Sequence, residues 1–138
     1  MKLLGVDYGR RRIGIAVTDE QGEYIKGLPT LDRKKTTDFL RSLEAIISHQ
    51  QPRRIVMGLP LDIDGHETVM SLEVRAFAEK LQAISSVPVS FVDESLTSVR
   101  AAEIMRFKKK KDRRDKQAVD RIAACLILEA FRKECACE

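Results

Sequence analysis

Asp7 closes the short apolar run Leu3-Leu4-Gly5-Val6, and Asp93 with Glu94 closes a second one, Val87 to Val92. A carboxylate buried at such a strand end is costly unless a partner or a bound cation meets it. Acids that end neighbouring parallel strands lie along one edge of a sheet, where α/β proteins usually build their sites. Asp93 and Glu94 face opposite sides of a straight strand, so only one of them can easily join Asp7. Glu94 reaches further, but alternation leaves the choice open. Asp120 is the third candidate: it stands one position past Val119, turned about 100° around a helix, at the border of an apolar stripe. Ala123 and Ala124 follow it and are small enough to let that helix approach the strands closely.

Three oxygen-donating carboxylates with no soft ligand suit Mg²⁺ or Mn²⁺. Two such ions about 3.5–4 Å apart would activate an attacking water and stabilise the leaving oxygen of a phosphodiester, with no need for a histidine base. Each acid also has a structural reading: a turn or cap for Asp7, a loop ion pair for Asp93 or Glu94, and pairing of Asp120 with Lys116 or Arg121. Their convergence from separate segments favours a site over three coincidences.

Positive charge is concentrated rather than abundant. The formal charge is +4 and the pI about 9.1, which alone excludes little. Arg106 to Lys116 carries much of it and Arg10-Arg11-Arg12 adds a second cluster, so Arg10, Arg11, Lys109, Lys110 and Arg113 are candidate phosphate contacts. The alternative is a solvated charged loop or helix end. Asp7-Tyr8-Gly9 with Gly14 also suits a phosphate-cradling hairpin of the kind in sugar kinases and actin-like ATPases, but those close two large domains on a nucleotide. A chain of 138 residues leaves no room for the second. Asp64-Gly65 is a turn signal, and Asp62 with Asp64 is only a fragment of a calcium loop. His66 is assigned no chemistry.

The elements that must position these residues follow from periodicity. Leu3–Val6 and Ile13–Thr18 form a hairpin across a glycine-assisted basic turn, with a third strand over Tyr24–Leu28. Thr36 or Thr37 caps a helix through Phe39, Leu40, Leu43, Ile46 and Ile47, ended by Pro52. A strand over Arg54–Gly58, a helix over about Glu67–Ile84 and the strand ending at Asp93 follow. A short helix is expected from Thr97 or Ser98 to about Met105. The last helix carries the stripe Val119, Ile122, Ala123, Leu126, Ile127 and Ala130. Antiparallel hairpins followed by alternating strands and helices predict an α/β fold, a mixed sheet flanked by helices.

With 43% hydrophobic and 33% charged residues the chain is expected to fold as one globular domain, residues 1–138. No stretch approaches the roughly 18 apolar residues of a membrane span, and a carboxylate at position 7 comes too early for a signal peptide, so a cytoplasmic protein without a membrane partner is expected. Cys125, Cys135 and Cys137 form neither a disulfide framework nor, with His49 and His66, a zinc pattern.

These motifs, in this order, resemble the YqgF family, also called RuvX-like Holliday junction resolvases or pre-16S rRNA nucleases. The resemblance spans nearly the whole chain. It is carried by Asp7-Tyr8-Gly9 with Gly14-Ile15-Ala16-Val17, by Gly58-Leu59-Pro60 with Asp64-Gly65, by Asp93-Glu94 with Leu96-Thr97, and by Lys116 to Asp120 with Ala123-Ala124 and Leu126-Ile127-Leu128. It implies an RNase H-like fold and a metal-dependent nuclease that processes the 5′ end of pre-16S ribosomal RNA, with Asp7, Glu94 and Asp120 as catalytic metal ligands. Two positions depart from the family pattern. Arginine usually follows the Asp-Glu pair and here it is Ser95, so a phosphate contact from that arginine must come from elsewhere or be absent. His66 stands where threonine often follows Asp-Gly.

The partner implied is nucleic acid, a ribosomal RNA precursor first and branched DNA second, bound by a monomer or homodimer. Three other functions compete: junction cutting, which calls for a symmetric dimer, a non-catalytic nucleic-acid-binding module on the same fold, and a nucleotide phosphohydrolase. Metal-dependent turnover separates cutting from binding, and saturable ATP binding would mark the last.

Overall fold

The computed structural model describes residues 1–94 and 116–136. Strands β1 (Leu3–Asp7), β2 (Arg12–Thr18) and β3 (Ile25–Asp32) come first. Helix α1 (Phe39–Gln50), strand β4 (Arg54–Leu59), helix α2 (Val69–Ser85), strand β5 (Val89–Asp93) and helix α3 (Lys116–Ala136) follow. The expected helix from Thr97 or Ser98 and the basic stretch after it lie outside the described residues.

The five strands form one sheet in the order β3-β2-β1-β4-β5. Short connections make β1–β2 and β2–β3 antiparallel, while helical crossovers make β1–β4 and β4–β5 parallel. This is the mixed sheet that the order of periodic segments predicts. β3 runs further than Tyr24–Leu28, through Pro29 to Asp32. Pro29 lacks a donor, and it is tolerated because β3 is an edge strand whose register against β2 shifts between Ile13 and Ile15.

Alternation divides the sheet into two faces. Leu4, Val6, Ile13, Ile15, Val17, Ile55 and Met57 pack with Leu43 and Ile47 of α1 and with Val74, Phe77, Ala78 and Leu81 of α2. Leu3, Ala16, Val56 and Val92 point the other way and pack with Ala124, Ile127 and Leu128 of α3. Among the described residues no helix is long and apolar enough to cross a membrane.

Two helix readings are corrected by the structure. Asp38, not Thr36 or Thr37, caps α1, its carboxylate accepting from the Arg41 N–H at 3.1 Å. In α3 the predicted stripe is split: Val119 and Ile122 pack around Ala123 and Leu126, whereas Leu128, outside the stripe, is fully buried on the sheet. The row facing the strands therefore runs through Ala124, Ile127 and Leu128, and Asp120 lies one turn before Ala124 on that row.

Candidate metal centre

β1, β4 and β5 are parallel, so their carboxyl ends share one edge of the sheet. Asp7 follows Leu3 and Gly5 on the α3 face and pairs with Gly14 of β2. Glu94 stands two positions beyond Val92, which packs on that same face, and it is buried. Asp93 has the opposite parity; it pairs with Leu59 and is exposed. The fold therefore places Glu94 beside Asp7 and turns Asp93 away.

Two glycines make room for the other carboxylates. Gly14 lies directly under α3: a β-carbon there would fall on the Asp120 carbonyl oxygen and stand 2.8 Å from its carbon. Gly58, one position beyond the Met57 that pairs with Val6, lies under Glu94. A β-carbon on Gly58 would stand 2.7 Å from Glu94 Cδ, 2.8 Å from Oε2 and 2.9 Å from Ile127 Cδ1. Side-chain ends can swing aside, so Gly58→Ala is expected to displace the Glu94 carboxylate at a stability cost of about 1–2 kcal/mol. Thermal denaturation beside a cleavage assay checks this: activity should fall by about 100-fold in a protein that still folds.

The carboxyls of Asp7 and Glu94 are hydrogen-bonded to one another. Burial, then the hydrogen bond to Asp7, then the charges of Asp7 and Asp120 push Glu94 up to about 10. Burial also raises Asp7; the bond from Glu94 opposes that rise and the charge of Asp120 adds to it. The pair accordingly shares a proton, held on Glu94 and donated to Asp7. Asp120 is met from the other side by Arg12, whose Nε lies 2.8 Å from Oδ2.

The sign of the linkage follows from this. A carboxyl raised by folding favours the native state while it keeps its proton. For Glu94 that contribution is complete below about 4.5 and drains away as pH rises toward about 10. The metal-free protein is therefore expected to lose melting temperature between pH 5 and 9, and Mn²⁺ to restore it most at the alkaline end, as read by thermal denaturation with and without EDTA.

The basic residues take several positions. Arg10 grips both oxygens of Glu73 on α2, at 2.9–3.3 Å, and Glu73 also accepts from the Tyr8 hydroxyl at 3.1 Å. Arg11 pairs with Asp32 at 3.3 Å. Arg33 lies over Phe39, 4.3 Å from its centroid, and donates to Tyr8 and to the Gly9 carbonyl. Lys109, Lys110 and Arg113 lie outside the described residues. In the Gly58–Glu67 loop, Asp62 Oδ1 accepts from the backbone of Asp64 and His66, and Gly65 takes a φ of +83° in the expected turn. Asp62, Asp64 and His66 each offer one ligand atom within 4.8 Å of the others, all three exposed. Cys125 is a free thiol packed at the edge of the α3 cluster.

Sequence reasoning did not find Arg12 as the partner of Asp120, nor Glu73 as the anchor of the basic hairpin. Arg12 carried a signal: it shares strand parity with Gly14 and Ala16, whose small size marks the face on which a helix must lie close.

A model of the family described as "RuvX: Holliday junction resolvase" matches residues 1–133. A relative from Synechococcus elongatus, named "Putative pre-16S rRNA nuclease", is 37% identical over 95% of this chain and 88% of its own length. Another of the same name, from Oleidesulfovibrio alaskensis, is 40% identical over 95% of this chain and 91% of its own. Among solved structures, Thermus thermophilus RuvC superposes with a TM-score of 0.60 at 12% identity, covering 99% of this chain and 97% of that one. Fowlpox virus resolvase, solved with Holliday junction DNA, gives a TM-score of 0.61 at 13% identity over 98% and 99%. At such identities the likeness establishes the fold, which is RNase H-like.

Proposed function

The chain belongs to the RuvX family, and on that premise we propose that it is a metal-dependent nuclease, one domain over residues 1–138, that hydrolyses a ribosomal RNA precursor in maturing the 5′ end of 16S rRNA. The observation that carries this reading is the buried Asp7–Glu94 pair at the carboxyl edge of the parallel strands, with Asp120 of α3 within electrostatic reach of both. Buried carboxyls that must share a proton are a donor set that a hard divalent cation fits, since the cation would replace that proton and its charge would offset all three acids.

Asp7, Glu94 and Asp120 are the residues that would hold Mg²⁺ or Mn²⁺. Such ions, two in this reading, would supply a lowered pKa for the attacking water and positive charge for the leaving oxygen. The chain's own part is to release the Glu94 proton, to keep Asp7 rigid in the β1–β2 ladder, and to hold Asp120 at a fixed approach over Gly14. RNA is favoured over junction DNA because the relatives at 37% and 40% identity carry the rRNA name. The test incubates the chain with a labelled pre-16S RNA fragment and, separately, a four-way DNA junction, in Mn²⁺ or EDTA. RNA cleavage in Mn²⁺ alone is expected. Salt-sensitive binding of both without cleavage of either would overturn the nuclease and leave a binding module.

A further inference from the structure

We propose that Arg12 contacts the scissile phosphate, its Nε tied to Asp120 and its two Nη groups left for substrate oxygens. This rests on the nuclease reading and adds a residue to it. Arg12 opens β2 two positions before Gly14, so its side chain rises from the sheet on the face that α3 covers. The Arg12–Asp120 pair keeps 24% and 22% side-chain exposure, which puts it at the rim of the centre, where a ligand from solvent can arrive.

The three arginines of the hairpin differ in which carboxylate they meet. Arg10 spends Nε and Nη2 on both oxygens of Glu73, whereas Arg11 and Arg12 each bond one carboxylate through Nε: Arg11 meets Asp32, which also accepts from the Lys34 backbone, and Arg12 meets Asp120 of the centre. Arg12 thus stands at the centre itself, and with one side-chain hydrogen bond among the described residues, through Nε, it has four N–H donors of its fork uncommitted there. A planar fork held at one nitrogen presents the others in a fixed direction, and it matches two oxygens of a phosphodiester in a way a lysine ammonium does not.

The electrostatics require such a group. An incoming phosphodiester is an anion, and it must approach Asp7, Glu94 and Asp120, the first two raised by burial first and also by the charge of Asp120. Among the described residues Arg12 is the cation bonded to a member of this cluster. Tied to Asp120, it keeps positive charge beside the reacting group through the reaction, which is where donor groups lower barriers most.

Arg12→Lys keeps the charge and removes the fork; Arg12→Ala removes both and leaves space for free guanidinium. Each variant and wild type would be titrated with Mn²⁺ calorimetrically without nucleic acid, checked by circular dichroism, and assayed for Mn²⁺-dependent cleavage of the pre-16S RNA fragment. The expectation is Mn²⁺ affinity within about threefold of wild type, kcat lower by about 10²–10³ in both variants, and partial rescue of Arg12→Ala by added guanidinium. Wild-type kcat in Arg12→Lys would overturn the proposal. So would a loss of Mn²⁺ affinity matching the loss of rate, since Arg12 would then only position Asp120. If wild type itself fails to cleave, the nuclease reading falls and Arg12's role with it; if wild type cleaves and Arg12→Lys matches it, Arg12's role alone falls.

Discussion

Asp7→Asn is expected to abolish metal-dependent cleavage and, in the metal-free protein, to raise the melting temperature. The two effects have one cause. Asp7 stands between Gly14 and the Glu94 carboxyl, buried and hydrogen-bonded, so its charge is expensive when no cation faces it. Asparagine keeps the shape and the hydrogen bond to Glu94 but carries no charge. Above neutral pH, where folding must take up a proton on Glu94 that the unfolded chain has lost, the variant, whose Glu94 no longer faces the Asp7 charge, should gain about 1–2 kcal/mol, or several degrees in melting temperature. Near pH 5 the gain should shrink, because taking up that proton costs little so close to the ordinary carboxyl value of 4.5. The central cation ligand is gone, so cleavage should fall by at least about 10³-fold and the Mn²⁺-induced rise in melting temperature should disappear. Thermal denaturation across pH with Mn²⁺ or EDTA, beside the RNA assay, reads all of this. A variant that melts lower without metal and still responds to Mn²⁺ would place the cation elsewhere.

Gly14→Ala should damage fold and centre together. Its β-carbon would meet the Asp120 carbonyl, which is helix backbone and cannot rotate away, so α3 must lift from the sheet. Ala16 of β2 packs beneath the same helix, and its contacts with Ala124, Ile127 and Leu128 of α3 would loosen with it. Overpacking of this kind costs about 1–3 kcal/mol, and the upper end is expected here because the clash is with main chain. Asp120 would move relative to Asp7 by an amount comparable to 1 Å, a displacement that costs about 100-fold in rate. Urea denaturation and kcat together test it, and Gly58→Ala, which meets a side-chain end, is the informative contrast. Equal stability of the two variants would mean that α3 does not sit as closely on β2 as on the Glu94 side.

Much of this centre is legible in the chain because strand ends and helix faces are local properties. Leu3 to Val6 must be a buried strand, and whatever follows it must stand at a sheet edge, so Asp7 is conspicuous without any structure. The order of strands and helices dictates a mixed sheet, since short turns make antiparallel neighbours and helical crossovers make parallel ones. The preference between Asp93 and Glu94 is beyond such reasoning. It depends on where β5 keeps its alternation against β4, with Val92 beside Gly58, and that is a property of two strands rather than one.

Tertiary structure alone decided what the charges do. Asp120 finds Arg12, a residue 108 positions away, and Arg10 is held by Glu73 across 63 positions. Sequence spacing measures neighbours only within an element, whereas ion pairs form wherever packing brings opposite charges within a few ångströms. The residues that make such packing possible are the least conspicuous in the chain: Gly14 and Gly58 carry no side chain, and by that absence they set how close Asp120 and Glu94 come to the sheet that holds Asp7.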